Sequence, residues 1–110
     1  MGLSLNDLKK MPEDVKDVFG YALHLAQNGK KHGDAKPLKG FKGAGVFEVV
    51  DDFKGDTYRA IYTVRIVDVV YVLHCFQKKS KSGIATPKKD IDLIKQRLRD
   101  AQEYAKGTNS

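Results

Sequence analysis

Cysteine is almost absent from this chain of 110 residues, in which Cys75 is the single example. One cysteine cannot form an intramolecular disulfide, so a reducing compartment, the cytoplasm, is expected. Cys75 lies within the apolar run 69–76, which predicts a buried structural thiol.

Long apolar runs are missing too. No stretch approaches the roughly 20 apolar residues that span a bilayer, and no signal peptide is evident, so membrane association is not predicted.

Residue patterns that bind metals or cofactors are also missing. His24, His32 and His74 fall in three different predicted elements, without the spacing of metal ligands. The glycines at 40, 43 and 45 precede a strand rather than joining a strand to a helix, so they do not make a nucleotide-binding loop. No nucleophile triad is recognisable. We therefore predict no metal and no cofactor.

Basic residues are abundant: 20 lysines and arginines against 14 acidic residues give a net charge of +6. This excess favours an anionic partner such as nucleic acid, an acidic protein or a membrane surface. The hydrophobic fraction of 41% and the charged fraction of 31% are typical of a folded globular protein. The length predicts a single domain over residues 1–110.

Apolar residues at three- and four-residue spacing predict three helices. The first is short, from Ser4 to about Met11, and the second runs from Pro12 to residues 28–29. The third starts at Thr86 and Pro87 and ends at residue 107. Its apolar face could cover the sheet of this domain or bind a partner, and both alternatives stay open. That face consists of Ile91, Ile94, Leu98, Ala101 and Ala105.

Three extended segments predict an antiparallel sheet, with strands at residues 46–50, 57–67 and 69–76. Segment 30–45, rich in lysine and glycine, predicts an exposed basic loop anchored by Leu38 and Phe41. If residues 67 and 68 form a two-residue turn, paired residue numbers sum to about 135. Arg59 then lies opposite Phe76, and position 61 opposite His74.

Side-chain alternation predicts one drier and one wetter face of the sheet. The drier face should hold Tyr58, Ala60, Tyr62, Val64, Ile66, Leu73 and Cys75. Pairing residues 46–50 with 57–61 brings Glu48 close to Arg59 on the wetter face, where His74 also lies. Glu48, Arg59 and His74 are therefore expected to form a cluster.

The candidate chemistry of the chain is cationic. RNA cleavage needs an activated 2′-hydroxyl, a stabilised phosphate charge and a protonated leaving oxygen. Glu48 or His74 could transfer protons, while Arg59 and Lys78 could stabilise the negative charge on the phosphate. The catalytic candidates are therefore Arg59, His74, Lys78, Lys79 and Glu48. The RNA-binding candidates are Lys36, Lys39, Lys42, Arg65 and Lys81.

Each candidate also has a structural alternative. Glu48 and Arg59 could form a cross-strand ion pair that does no chemistry. His74 could be a neutral side chain packed on the sheet. The lysines that follow the last strand could protect a sheet edge from aggregation.

Several short motifs together resemble the RelE/ParE toxin superfamily, in particular its phage-related HigB-like branch, over residues 5–104. These motifs are Lys36-Pro37-Leu38-Lys39-Gly40, Phe47-Glu48, Tyr58-Arg59-Ala60-Ile61-Tyr62, Leu73-His74-Cys75-Phe76-Gln77-Lys78-Lys79 and Thr86-Pro87. The resemblance implies an α+β fold, in which two N-terminal helices pack on a small antiparallel β-sheet, followed by a C-terminal helix. It also implies a type II toxin-antitoxin toxin, a ribosome-dependent mRNA endoribonuclease that a cognate antitoxin silences.

By position, Arg59 matches the arginine of the family's Tyr-Arg strand motif, and Lys78 and Lys79 match its basic site at the strand exit. Lys36 and Lys39 match a basic loop. The implied partners are a small helix-turn-helix antitoxin, the ribosome and mRNA, and no membrane.

The chain also departs from the family pattern. Only three residues precede Ser4, where relatives carry a first strand, so an open sheet edge is expected to pair with a partner or with a second copy in a homodimer. Glu48 and Val50 occupy positions where RelE-type enzymes place catalytic lysines. Two alternatives to the ribonuclease therefore stay open: a module of the same fold that only binds RNA or protein, and a ParE-like gyrase poison.

Overall fold

A computed structural model of the chain describes residues 2–38, 41, 45–64, 66, 69–78 and 88–108. These residues form three helices and a four-stranded antiparallel sheet, which confirms the predicted α+β class with two N-terminal helices and one C-terminal helix. None of the helices in this part of the chain is both long and apolar enough to cross a membrane.

The two N-terminal helices are α1 (Gly2–Lys9) and α2 (Glu13–Gln27). Helix α2 begins one residue later than predicted, because Pro12 takes the extended N-cap conformation with φ −55° and ψ 149°. Glu13 and Asp14 then place negative charge in the first turn, where the helix dipole favours it. At the other end Gly29 adopts φ 77°, which glycine reaches without steric cost.

The sheet has the strand order β1-β2-β3-β4. Its strands are β1 (Lys36–Pro37), β2 (Val46–Phe53), β3 (Asp56–Thr63) and β4 (Val72–Lys78). Strand β2 is longer than predicted because its turn contains only two residues, Lys54 and Gly55, with φ 51° and 84°. The two-residue strand β1 lies in the segment predicted as a loop, in which Leu38 and Phe41 are buried as expected.

The predicted pairing of β3 with β4 is confirmed: Arg59 lies opposite Phe76, and Ile61 opposite His74. An irregularity then shifts the register, so that Tyr62 pairs with Val72 and Leu73 is the extra residue of the bulge. Leu73 therefore packs on the face opposite to the predicted one. The prediction for Ile66 was wrong in the same way.

Helices cover both faces of the sheet. Helices α1 and α2 pack on one face, against side chains such as Val49, Ala60 and Tyr62. Helix α3 (Lys88–Thr108) packs on the other, where Ile94 and Leu98 belong to a second apolar cluster. The apolar side of the third helix thus covers the sheet of this chain. The start predicted for it, Thr86 and Pro87, lies outside the described residues.

Candidate functional site

Glu48 and Arg59 form a largely buried ion pair on the face beneath α3. Arg59 Nη1 donates to Glu48 Oε2 at 2.8 Å, and the two side chains keep only 7% and 17% of their exposure. The predicted closeness is confirmed, although Glu48 pairs with Ile61 and Arg59 pairs with Val50. The register differs by two residues from the expected one. A shift of two leaves both side chains on the same face, since alternation has a period of two.

His74 lies on the same face, one strand further along. Its Nε2 is 2.9 Å from Asp90 Oδ1, in the first turn of α3. Its Nδ1 is 3.4 Å from Nη1 of Arg97, which also donates to the Leu73 carbonyl at 2.8 Å. The ring stacks on Phe76 with centroids 4.6 Å apart. Because an arginine can only donate, these contacts fit an imidazole tautomer whose Nε2–H donates a hydrogen bond to Asp90 Oδ1, with Nδ1 as the acceptor.

The predicted candidates therefore converge in part. Glu48, Arg59 and His74 share one face, as expected, but Arg59 and His74 are only 6% and 8% exposed. Asp90 and Arg97 were not among the candidates. The available signal was helical spacing, because positions 90, 94, 97 and 101 lie on one side of α3 with the apolar residues.

The predicted basic residues are described only in part. Lys36 is exposed on β1, opposite Glu48, and so belongs to the same face of the sheet. Lys78 ends β4 opposite Thr57. The other basic candidates, Lys39, Lys42, Arg65, Lys79 and Lys81, lie outside the described residues. The catalytic and RNA-binding roles stay predictions.

A groove of about 630 Å³ has His74 among the residues that line it. One wall comes from α1 and the turn after it, with Asp7, Lys10 and Met11, and the other comes from β4, with His74 and Phe76. Cys75 also lines this groove, where burial, and less so the charge of Asp7, raises the pKa of its thiol to about 12. The thiol is thus protonated near neutral pH, which fits a structural cysteine rather than a nucleophile.

No group of three histidine, cysteine or acidic side chains within the described ranges could hold a metal ion. Comparison with known proteins gave no match among curated proteins and none among solved structures. Residues 6–99 do match a family described as phage derived protein Gp49-like (DUF891). This family is broadly a RelE/ParE-like toxin family. Because the match spans most of the chain, the protein belongs to this Gp49-like, phage-derived family.

Proposed function

We propose that this chain is the toxin of a type II toxin-antitoxin pair, of the HigB-like branch, and that it cleaves mRNA on the translating ribosome. Membership of a toxin-like, phage-derived family supports the toxin role. The observation that supports RNA cleavage is the contact of His74 with Asp90, because His74 also lines an open groove. A histidine oriented by a carboxylate is an arrangement that serves general acid–base catalysis.

In this proposal His74 is the proton carrier. With Nε2–H hydrogen-bonded to Asp90 Oδ1, Nδ1 presents its lone pair. The 3.4 Å contact of Nδ1 with Arg97 is longer than a good hydrogen bond. A 2′-hydroxyl that displaces this contact can pass its proton to Nδ1 as its oxygen attacks the adjacent phosphorus. The bond from phosphorus to the 5′-oxygen breaks as the new bond forms, which leaves a 2′,3′-cyclic phosphate, and the departing 5′-oxygen takes its proton from water. Asp90 then stabilises the imidazolium, and Arg97 balances the charge that develops on the phosphate.

The basic residues supply the RNA contacts in this proposal. Lys78 and Lys79, at the exit of β4, hold phosphates near the reacting bond. Arg59 stabilises charge in this proposal only by exchanging its bond to Glu48 for a bond to the phosphate. Contacts to the RNA backbone come from Lys36, Lys39, Lys42, Arg65 and Lys81. Such contacts position the strand without reading its sequence.

The proposed partners are a small helix-turn-helix antitoxin, the ribosome and mRNA. Strand β4 ends the strand order of the sheet that the described residues form. Edge strands present backbone donors and acceptors to a further strand. We include in the proposal that a second copy pairs along this edge to form a homodimer.

Induced expression followed by mapping of mRNA ends in a translating lysate tests the ribonuclease. The wild-type chain should arrest growth and cleave mRNA only when ribosomes translate it. His74→Gln should lower the cleavage rate by about 10²- to 10⁴-fold, the usual contribution of a positioned acid or base. The control is His24→Gln, the same change at an exposed position of α2, which should keep full activity.

Asp90→Asn keeps the His74 imidazole but removes the carboxylate that orients it, so it tests the contribution of that orientation. This variant should retain folding and RNA binding but lose much of the cleavage rate, since an amide cannot stabilise the imidazolium as a carboxylate does. Unchanged cleavage by a folded His74→Gln chain would remove His74 from the mechanism. If the wild-type chain is expressed without growth arrest and without mRNA cleavage, the proposed ribonuclease activity is excluded.

A binding module of the same fold is the second candidate, and the Glu48–Arg59 pair favours it. The guanidinium is bonded to a carboxylate at 2.8 Å, whereas a ribonuclease uses such a group against phosphate. A module should bind RNA in filter-binding assays, with affinity that falls steeply with salt, and leave the RNA intact. Cleavage of the bound RNA would exclude this candidate.

A further inference from the structure

A second concavity lies on the face of the sheet that α2 covers, away from the groove at His74. It has a volume of about 400 Å³, within the range of small-molecule pockets. The described residues of its wall include Phe47, Tyr62 and Val64 from the sheet, and Ala26 from α2. These side chains offer an apolar surface for a flat or branched body.

Two lysines also line this pocket. Lys30 and Lys31 follow the cap residues Asn28 and Gly29 at the end of α2, and both are exposed. The end of the helix fixes their place: Gly29 N donates to the Ala26 carbonyl at 3.0 Å, and Lys30 N to the Leu25 carbonyl at 2.7 Å. This pair of bonds is the Schellman motif, which needs the positive φ of Gly29. The Lys31 ammonium lies 6.0 Å from the centre of the Phe47 ring.

Tyr62 adds a buried hydrogen-bond donor. The side chain is 1% exposed, and its hydroxyl has no hydrogen-bond partner among the described parts of the chain. Burial raises the pKa of this phenol, so the hydroxyl keeps its proton at neutral pH and remains a donor. Buried polar groups are normally bonded, so the hydroxyl of this pocket-lining residue is a donor for which the described residues supply no acceptor.

We propose that this pocket binds a small aromatic carboxylate that carries a second oxygen on its ring. The apolar ring lies against Phe47 and Ala26. The carboxylate meets the positive charge of Lys30 and Lys31, and the ring oxygen accepts a hydrogen bond from the Tyr62 hydroxyl. The site is on the opposite side of the sheet from α3, and it does not depend on the proposed ribonuclease activity.

Three probes separate the contributions to binding: 4-hydroxyphenylacetate, phenylacetate and 4-hydroxyphenylacetamide. Each is titrated into the full chain and followed by amide NMR shifts. The first should bind most tightly, with shifts at Ala26, Gly29, Phe47 and Val64. Loss of the ring oxygen or of the carboxylate charge should each weaken binding, by roughly five- to tenfold.

Two variants assign these preferences to residues. Tyr62→Phe should abolish the preference for 4-hydroxyphenylacetate over phenylacetate, while the thermal midpoint of the free protein stays equal or rises, because an unpartnered buried hydroxyl is removed. Lys30→Gln with Lys31→Gln should abolish the preference for the carboxylate over the amide. Lys106→Gln, at an exposed position of α3, is the control and should change neither preference.

The proposal is overturned by three results. The first is the absence of shifts at the wall residues with every probe at millimolar concentration. The second is equal binding of all three probes, which would show only apolar adsorption. The third is a lower thermal midpoint for Tyr62→Phe in the free protein, which would show that the hydroxyl is already satisfied within the fold.

Discussion

The two faces of the sheet are built differently. Beneath α2, buried side chains such as Phe19, Val49 and Ala60 make an apolar core. Beneath α3, the apolar cluster shares its face with Glu48, Arg59, His74 and the two α3 side chains that hold the histidine. A buried polar network costs desolvation energy, and it lends stability only when its members are satisfied. The α2 face is therefore an apolar core, whereas the α3 face combines an apolar cluster with a buried polar network.

The largest expected effect tests the α2 face. Phe19 is fully buried, so Phe19→Ala should lower the free energy of unfolding by about 3–5 kcal/mol. Urea titration followed by circular dichroism measures this loss. Tyr21→Ala, a change on the same helix at a side chain that is 56% exposed, should cost about 0.5 kcal/mol or less. Equal losses would show that α2 does not pack on the sheet through this face.

The next effect tests the α3 face. Arg59→Met leaves the Glu48 carboxylate without its guanidinium, which should cost about 2–3 kcal/mol; the value is below the usual figure because Glu48 keeps 17% of its exposure. Adding Glu48→Leu should recover much of this loss, since two apolar side chains replace the pair. Urea titrations of both singles and the double variant give the coupling energy. Strictly additive losses would show that the pair contributes no coupling.

The sequence predicts those features of the two sheet faces that depend on the local spacing of residues. Apolar residues repeat along α2 and α3, so both helices are predictable. The pairing of Arg59 with Phe76 follows from alternation and a short turn. Glu48 lies near Arg59 even though the predicted register is off by two residues, because such a shift preserves the face.

The rest depends on tertiary contacts. The bulge at Leu73 moves that side chain to the other face, and no residue type there signals an extra position. The contacts of Asp90 and Arg97 with His74 depend on how α3 docks on the sheet. Strand β1 is two residues long and contains Pro37, so it has too few alternating positions to be predicted.

The smallest effect concerns a charged exception on the α2 side. Burial first, and then the negative charges of Asp52, Asp14 and Asp34, raise the pKa of Asp51 above its ordinary value of 3.8. The folded state therefore binds this proton more tightly than the unfolded chain does. Stability from Asp51 is present below pH 3.8 and is lost as the pH rises through the folded pKa, so the ionised group is unfavourable at pH 7.

Asp51→Asn removes this penalty. The variant should be more stable than the wild type at pH 7, by a few tenths of a kcal/mol. The gain should vanish near pH 3, where both states of the wild type carry the proton. Urea titrations at the two pH values measure the difference, and Asp92→Asn, at an exposed position of α3, is the control. A gain that persists at pH 3 would point to packing of the amide, because the charge of Asp51 is then already neutralised.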